Sequence, residues 1–158
     1  MIMEQLLNRP EKEKKRVRLT VAYDGTNYHG WQIQNNGITI ESELNRCLTD
    51  LLREPVEVIG ASRTDSGVHA LGQVAVFDTE KNIPDWKYAL AINQRLPKDI
   101  VVQKSEEVPL DFHPRYTDVE KTYEYRILNR RTQLPKERLY SYFVPKKLNV
   151  DKMREAGA

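Results

Sequence analysis

The sequence predicts an α+β fold: a split βαβ unit with both helices on one face of an antiparallel sheet, then the start of a second such unit. Two observations carry this. Over residues 16–108 the apolar pattern switches between two-residue and helical spacing in the order β-α-β-β-α-β. After residue 108 a β pattern and then an α pattern begin again, and the sequence ends there.

Each element has its own signal. Val17, Leu19, Val21 and Tyr23 alternate with Arg16, Arg18, Thr20 and Ala22, which predicts a strand with one apolar face. Asp24-Gly25-Thr26-Asn27 breaks it as a turn. Ile40, Leu44, Leu48, Leu51 and Leu52 recur at helical spacing; Thr39 is the N-cap, and Glu41 and Glu43 sit where the helix dipole favours acids. Pro55 disfavours helix at Glu54 and ends the run. Val56 to Ala61 is β-rich, and Gln73 to Thr79 alternates again. Pro84 opens a second helix whose expected apolar stripe is Trp86, Ala89, Leu90 and Ile92. Leu96-Pro97 ends it, and Asp99 to Val108 holds a further strand. This order is that of the ferredoxin-like unit, and it leaves the second sheet face open. Thr117 to Leu128 reads as another strand, and Val150 to Ala156 as the first turns of a helix. Three segments result: a charged arm over 1–15, a ferredoxin-like domain over 16–108, and an incomplete beginning of a second domain over 109–158.

Length and composition set the outer limits. The 158 residues make one domain, or one and a piece. Lys and Arg number 25 against 23 Asp and Glu, a formal net charge of +2, which by itself demands no nucleic-acid partner. Eight Tyr, three Phe and two Trp allow a packed core. The apolar stretches fall short of the roughly 20 residues that a membrane span needs, and no secretory signal is visible. A single cysteine, Cys47, excludes an intrachain disulfide and fits a reducing, cytoplasmic compartment. The three histidines, His29, His69 and His113, lack metal-ligand spacing, so no metal is expected. Lys12, Lys14, Lys15, Arg16 and Arg18 form a basic run that reads as a solvated tail or as contacts to an anionic partner.

The chemistry-bearing stretch is Gly60-Ala61-Ser62-Arg63-Thr64-Asp65-Ser66-Gly67-Val68-His69-Ala70, between two β-rich runs. Three readings fit it. It is a turn in which Thr64, Asp65 and Ser66 bond nearby amides and Gly67 takes positive φ. It is a hydrolase site built from Ser62 or Ser66, Asp65 and His69, although no nucleophile elbow is present. Or Asp65 is a nucleophile kept ionised by Arg63, since a neighbouring cation favours the carboxylate, which is competent at a sugar carbon. Further on, Tyr123 and Tyr125 lie two apart inside Lys121-Thr122-Tyr123-Glu124-Tyr125-Arg126. On a strand they share a face, as a platform for an unstacked base or as core. Between residues 112 and 147 there are nine Lys or Arg and four acids, a balance that suits phosphate contact or a solvated basic face.

The string Arg63-Thr64-Asp65-Ser66-Gly67-Val68-His69-Ala70 with Gly72-Gln73-Val74 resembles the hallmark of the TruA-type tRNA pseudouridine synthases. Tyr23-Asp24-Gly25-Thr26-Asn27-Tyr28-His29-Gly30-Trp31-Gln32 resembles that family's first strand and loop. Asn93 with Leu96-Pro97-Lys98-Asp99-Ile100 resembles its next signature. Phe112-His113-Pro114-Arg115-Tyr116 and Lys121-Thr122-Tyr123-Glu124-Tyr125 resemble the segment that brings in a second active-site residue. Ser62 stands where many members have Gly, and Ser66 where many have Ala. The resemblance covers roughly residues 16–156. It implies isomerisation of uridine to pseudouridine in the tRNA anticodon stem-loop, at positions 38–40, by a homodimer without cofactor or metal. By motif position Asp65 is the nucleophilic aspartate, Arg63 the arginine paired with it, and Tyr123 the tyrosine beside the target base. Family members run on past residue 158, so the resemblance also implies a chain truncated at its C-terminus and inactive alone. Against it stand a non-catalytic RNA-binding module and an interaction fragment. The intact Arg63-Thr64-Asp65 argues against the first, because a carboxylate beside phosphates serves no simple binding role.

Overall fold

The computed structural model describes residues 13–117 and 120–158. They fall into two compact units that divide between residues 119 and 120. The charged arm expected over residues 1–15 lies, up to residue 12, outside the described residues.

The first unit holds β1 (Lys15–Tyr23), α1 (Ile40–Leu52), β2 (Ile59–Gly60), β3 (Ala70–Thr79), α2 (Lys87–Asn93) and β4 (Ile100–Val108). The sheet order is β2-β3-β1-β4, all neighbours antiparallel. Each helix thus joins two strands that a third strand separates, which is the ferredoxin-like arrangement the periodicity predicts. Val17, Leu19, Val21 and Tyr23 of β1 are buried with Ala75 and Phe77 of β3, against Ile40, Leu44, Cys47, Leu48 and Leu52 of α1. Thr39 caps α1 as expected: its Oγ1 accepts from Ser42 N–H at 3.2 Å, and Ser42 Oγ accepts from Thr39 N–H at 3.0 Å.

Three local readings change. The β-rich run from Val56 yields only the short β2, because the Val56 and Val58 amides donate to Thr49 Oγ1 (3.1 Å) and Asn45 Oδ1 (2.8 Å) of α1 instead of to a strand. The second helix buries Tyr88, Ala89 and Ile92 and leaves Trp86 and Leu90 exposed. Tyr88 takes the inward place instead, its ring edge-on to Phe77 of β3 at 5.1 Å, and Trp86 and Leu90, four residues apart, share the solvent side. The basic residues around the start of β1 have acidic partners on the fold itself. Arg16 donates to both carboxylate oxygens of Asp78 (2.7 and 3.0 Å) and to Phe112 C=O (2.7 Å), Lys14 lies 3.5 Å from Asp78, and Arg18 lies 3.8 Å from Glu106.

The second sheet face is not left bare. Residues 109–117 run back across it: the Arg18 guanidinium stands over the Phe112 ring at 5.5 Å, and Arg115 Nε donates to Gly60 C=O of β2 at 3.2 Å. Val74 and Val76, on the face of β3 opposite the helices, are buried.

In the second unit, β5 (Ile127–Asn129) pairs in parallel with β6 (Tyr142–Val144), and α3 (Val150–Ala156) follows behind an Asn149 cap. The strand expected over 117–128 forms only at its C-terminal end. A ladder needs a partner for its backbone groups, and β6 reaches Ile127 to Asn129 and no further. Residues 118 and 119 lie outside the described residues; residues 120–126 belong to no strand. No described residue of this unit is buried.

Candidate active site

The stretch from Ala61 to Ala70 links β2 to β3 and is fastened almost wholly to one other segment, residues 23–31. Ahead of Asp65, Thr64 is held twice: its C=O accepts from Trp31 N–H at 3.0 Å, and its hydroxyl lies 2.7 Å from the Tyr23 hydroxyl. Behind Asp65, Ser66 Oγ (3.2 Å) and Gly67 N–H (3.3 Å) both donate to Tyr28 C=O. Val68 N–H closes a turn onto Asp65 C=O at 3.1 Å, and His69 Nδ1 accepts from Gly25 N–H at 2.9 Å. Gly67 takes the positive φ expected of it, +80°, with open space around its Cα. Gly30 also has positive φ (+82°), but there a Cβ would stand 2.6 Å from Thr64 C=O. The two segments meet backbone to backbone.

Segment 23–31 is itself anchored on two sides. Gly30 and Trp31 C=O accept the Ile40 and Glu41 N–H groups that open α1, at 3.2 and 3.0 Å. From the start of β4, Asp99 accepts the Tyr28 hydroxyl at 2.5 Å through Oδ1, and its C=O accepts Asp24 N–H at 2.9 Å. Burial first, and then this bond to a carboxylate, pushes the Tyr28 phenol well above its ordinary value, so it stays a donor. Asp24 Oδ1 accepts from Thr26 N–H (3.1 Å) and Thr26 Oγ1 (2.6 Å), capping the short 3-10 turn Gly25–Asn27.

The result is an exposed Asp65 side chain on a fixed backbone. Among the described residues nothing bonds its carboxylate. Arg63 is exposed on the same loop, and among the described residues no ion pair joins the two. Arg63 acts visibly on Glu41, in the first turn of α1. Burial raises the Glu41 carboxyl above its ordinary value; the Ile33 N–H opposes this, Glu57 adds to it, and Arg63 and Arg115 oppose it. Ser62 and Ser66 serve the loop's own structure: Ser62 C=O accepts from Gln73 Nε2 at 2.5 Å, and Ser66 Oγ is spent on Tyr28. His69 Nδ1 faces Gly25 and Asp24 rather than either serine. Tyr123 lies in the second unit, 64% exposed and on no strand, and Tyr125 is 89% exposed. The structure thus brings Asp65 and Arg63 together on one loop.

Sequence reasoning passed over the parts that hold the loop: Thr64 on Tyr23, His69 on Gly25, and Tyr28 on Asp99. All of them fall inside the quoted motifs, which was the available signal.

Residues 19–117 match a family model described as tRNA pseudouridine synthase. The chain is 49% identical over 142 residues to tRNA pseudouridine synthase A 2 of Clostridium perfringens, covering 90% of this chain and 58% of that one. It is 49% identical over 142 residues to tRNA pseudouridine synthase A of Clostridium acetobutylicum, with the same coverage. It is 46% identical over 144 residues to the protein of that name in Thermoanaerobacter sp., covering 91% and 59%. The chain therefore spans a little under three fifths of the length of these relatives.

Proposed function

The chain belongs to the tRNA pseudouridine synthase family, and we propose that it isomerises uridine to pseudouridine in the tRNA anticodon stem-loop, at positions 38–40. Asp65 is its nucleophile or base. The observation that carries this is the Asp65 carboxylate, unbonded among the described residues and exposed, on a backbone fixed on both sides by segment 23–31.

The reaction breaks the bond between C1′ and N1, turns the uracil over, and joins C1′ to C5. C5 loses a proton and N1 gains one, so no electrons are exchanged. A carboxylate serves by adding to the base, by attacking C1′, or by taking a sugar proton. The target base has to leave the stack, at a cost of a few kcal/mol. The exposed ring of Tyr123 offers ~1–3 kcal/mol of stacking in return. Arg63 places a positive charge two residues before the carboxylate, on the same exposed loop. The same reading carries the homodimer and the cytoplasmic location that the resemblance implies.

The test joins residues 1–158 to the C-terminal part of the Clostridium perfringens relative and assays pseudouridine in unmodified tRNA. Asp65→Asn keeps the side chain's shape and loses both nucleophile and base. It should bind tRNA with affinity close to the parent and make no product. Turnover by that variant within about tenfold of the parent, ~1.4 kcal/mol in barrier, rules Asp65 out.

A further inference from the structure

We propose that His69 is a positioning residue for Asp65, acting through Nδ1 as the acceptor for the Gly25 backbone N–H. The inference rests on the synthase reading of the Asp65 loop and assigns a task inside it. Asp65 is suspended between two sets of anchors. The N-terminal set is short and double, Thr64 C=O to Trp31 N–H at 3.0 Å and Thr64 Oγ1 to the Tyr23 hydroxyl at 2.7 Å. On the C-terminal side, Ser66 Oγ and Gly67 N–H share one carbonyl, Tyr28, at 3.2 and 3.3 Å. The 2.9 Å bond from Gly25 N–H to His69 Nδ1 adds a side-chain anchor to a different residue of segment 23–31.

The surroundings make this bond hard to replace. Gly25 is buried, and a Cβ on it would stand 2.0 Å from Val68 C=O, so the chain just before His69 is pressed against the same residue. A buried amide that loses its acceptor bears the desolvation penalty in full. Asp24 Oδ1 lies 3.1 Å from Nδ1, but it already takes two donors from Thr26. Acceptance from Gly25 N–H calls for the Nδ1 lone pair toward Gly25, which the tautomer with its proton on Nε2 presents. His69 does this work through an acceptor one bond beyond Cγ.

That atom can be kept or moved by substitution. In His69→Asn the amide oxygen takes the place of Nδ1. In His69→Gln the acceptor moves out to the place of Nε2. Both side chains are polar and smaller than the ring. The first arm uses this chain without RNA, reading amide hydrogen exchange at Gly25, Gly67 and Val68 by NMR. His69→Gln should exchange at Gly25 roughly tenfold faster than the parent, as a lost hydrogen bond implies, and His69→Asn should stay close to the parent. The second arm uses the chimera. His69→Gln should lower kcat with KM for tRNA unchanged, and His69→Asn should restore it. Equal exchange at Gly25 in the Asn and Gln variants, or full protection in His69→Gln, overturns the proposal. A chimera that makes no pseudouridine even with His69 intact counts against the synthase reading, while the exchange arm still decides the role of Nδ1.

Discussion

Gly30 and Gly67 form a natural pair for separating backbone strain from steric contact at the Asp65 loop. Both have positive φ, +82° and +80°. They differ in what a Cβ would meet: nothing within 4 Å at Gly67, but Thr64 C=O at 2.6 Å and the Asp65 and Ser66 backbone at 3.2 Å at Gly30. Gly67→Ala carries the left-handed penalty alone, about 1 kcal/mol. Gly30→Ala adds a backbone clash of the overpacking kind, for a combined cost of roughly 3 kcal/mol. The clash pushes on the carbonyl that accepts from Trp31, so Asp65 has to move as well. Urea denaturation of the two variants and the parent, followed by tryptophan fluorescence, reads the difference, with Trp31 buried beside the contact. Gly67→Asn belongs in the set, since Asn tolerates left-handed backbone and should recover part of the Gly67→Ala loss. In the chimera, Gly30→Ala should cost on the order of a hundredfold in rate, the effect of about 1 Å of misplacement, and Gly67→Ala far less. Equal destabilisation by the two alanines would refute the reasoning, because it would leave the 2.6 Å contact without consequence.

Two further outcomes follow from the scaffold. Two bonds to Arg16 hold the Asp78 carboxyl below its ordinary value of 3.8, so their stabilisation is present above that value and is lost as pH falls through the lower folded one. Asp78→Asn should cost about 2 kcal/mol at pH 7 and flatten acid unfolding in that window, read by circular dichroism against pH. Asn93 donates to Val102 C=O and accepts from Val102 N–H, both at 2.8 Å, as a peptide group would. Asn93→Ala should cost about 2 kcal/mol in urea melts and Asn93→Asp, which sets a carboxylate oxygen against Val102 C=O, no less.

What the sequence made legible was whatever repeats. β1, α1, β3 and β4 each carry a period of their own together with a stop, and each forms close to where the pattern places it. The misreadings share one cause, a dependence on a partner elsewhere in the chain. Val56 to Val58 reads as strand until two α1 side chains claim its amides. Trp86 and Leu90 read as core until Tyr88, packed on Phe77 of β3, takes the inward face of α2. Residues 120–126 read as strand, but a strand needs a ladder, and β6 pairs only with Ile127 to Asn129. On the loop, Asp65 and Arg63 were visible as candidates because their residue types suggest a chemistry. Their supports were not, because one side chain bonded to one distant backbone group leaves no periodic trace.

Those supports explain why the quoted motifs belong together. Two of them supply contacts to segment 23–31 or to the strand behind it. Thr64, Ser66, Gly67 and His69 bond it from the loop, and Asp99 bonds Tyr28 and Asp24 from the start of β4. Asn93 ties α2 to Val102, two residues into that same β4. Segment 23–31 is therefore the body against which the backbone at Asp65 is placed. Placement of this kind needs bonds from both sides of the carboxylate, because a loop fixed at one end still pivots. Thr64 on one side, and Ser66, Gly67 and His69 on the other, meet that need, with Asp65 between them and its carboxylate unbonded among the described residues.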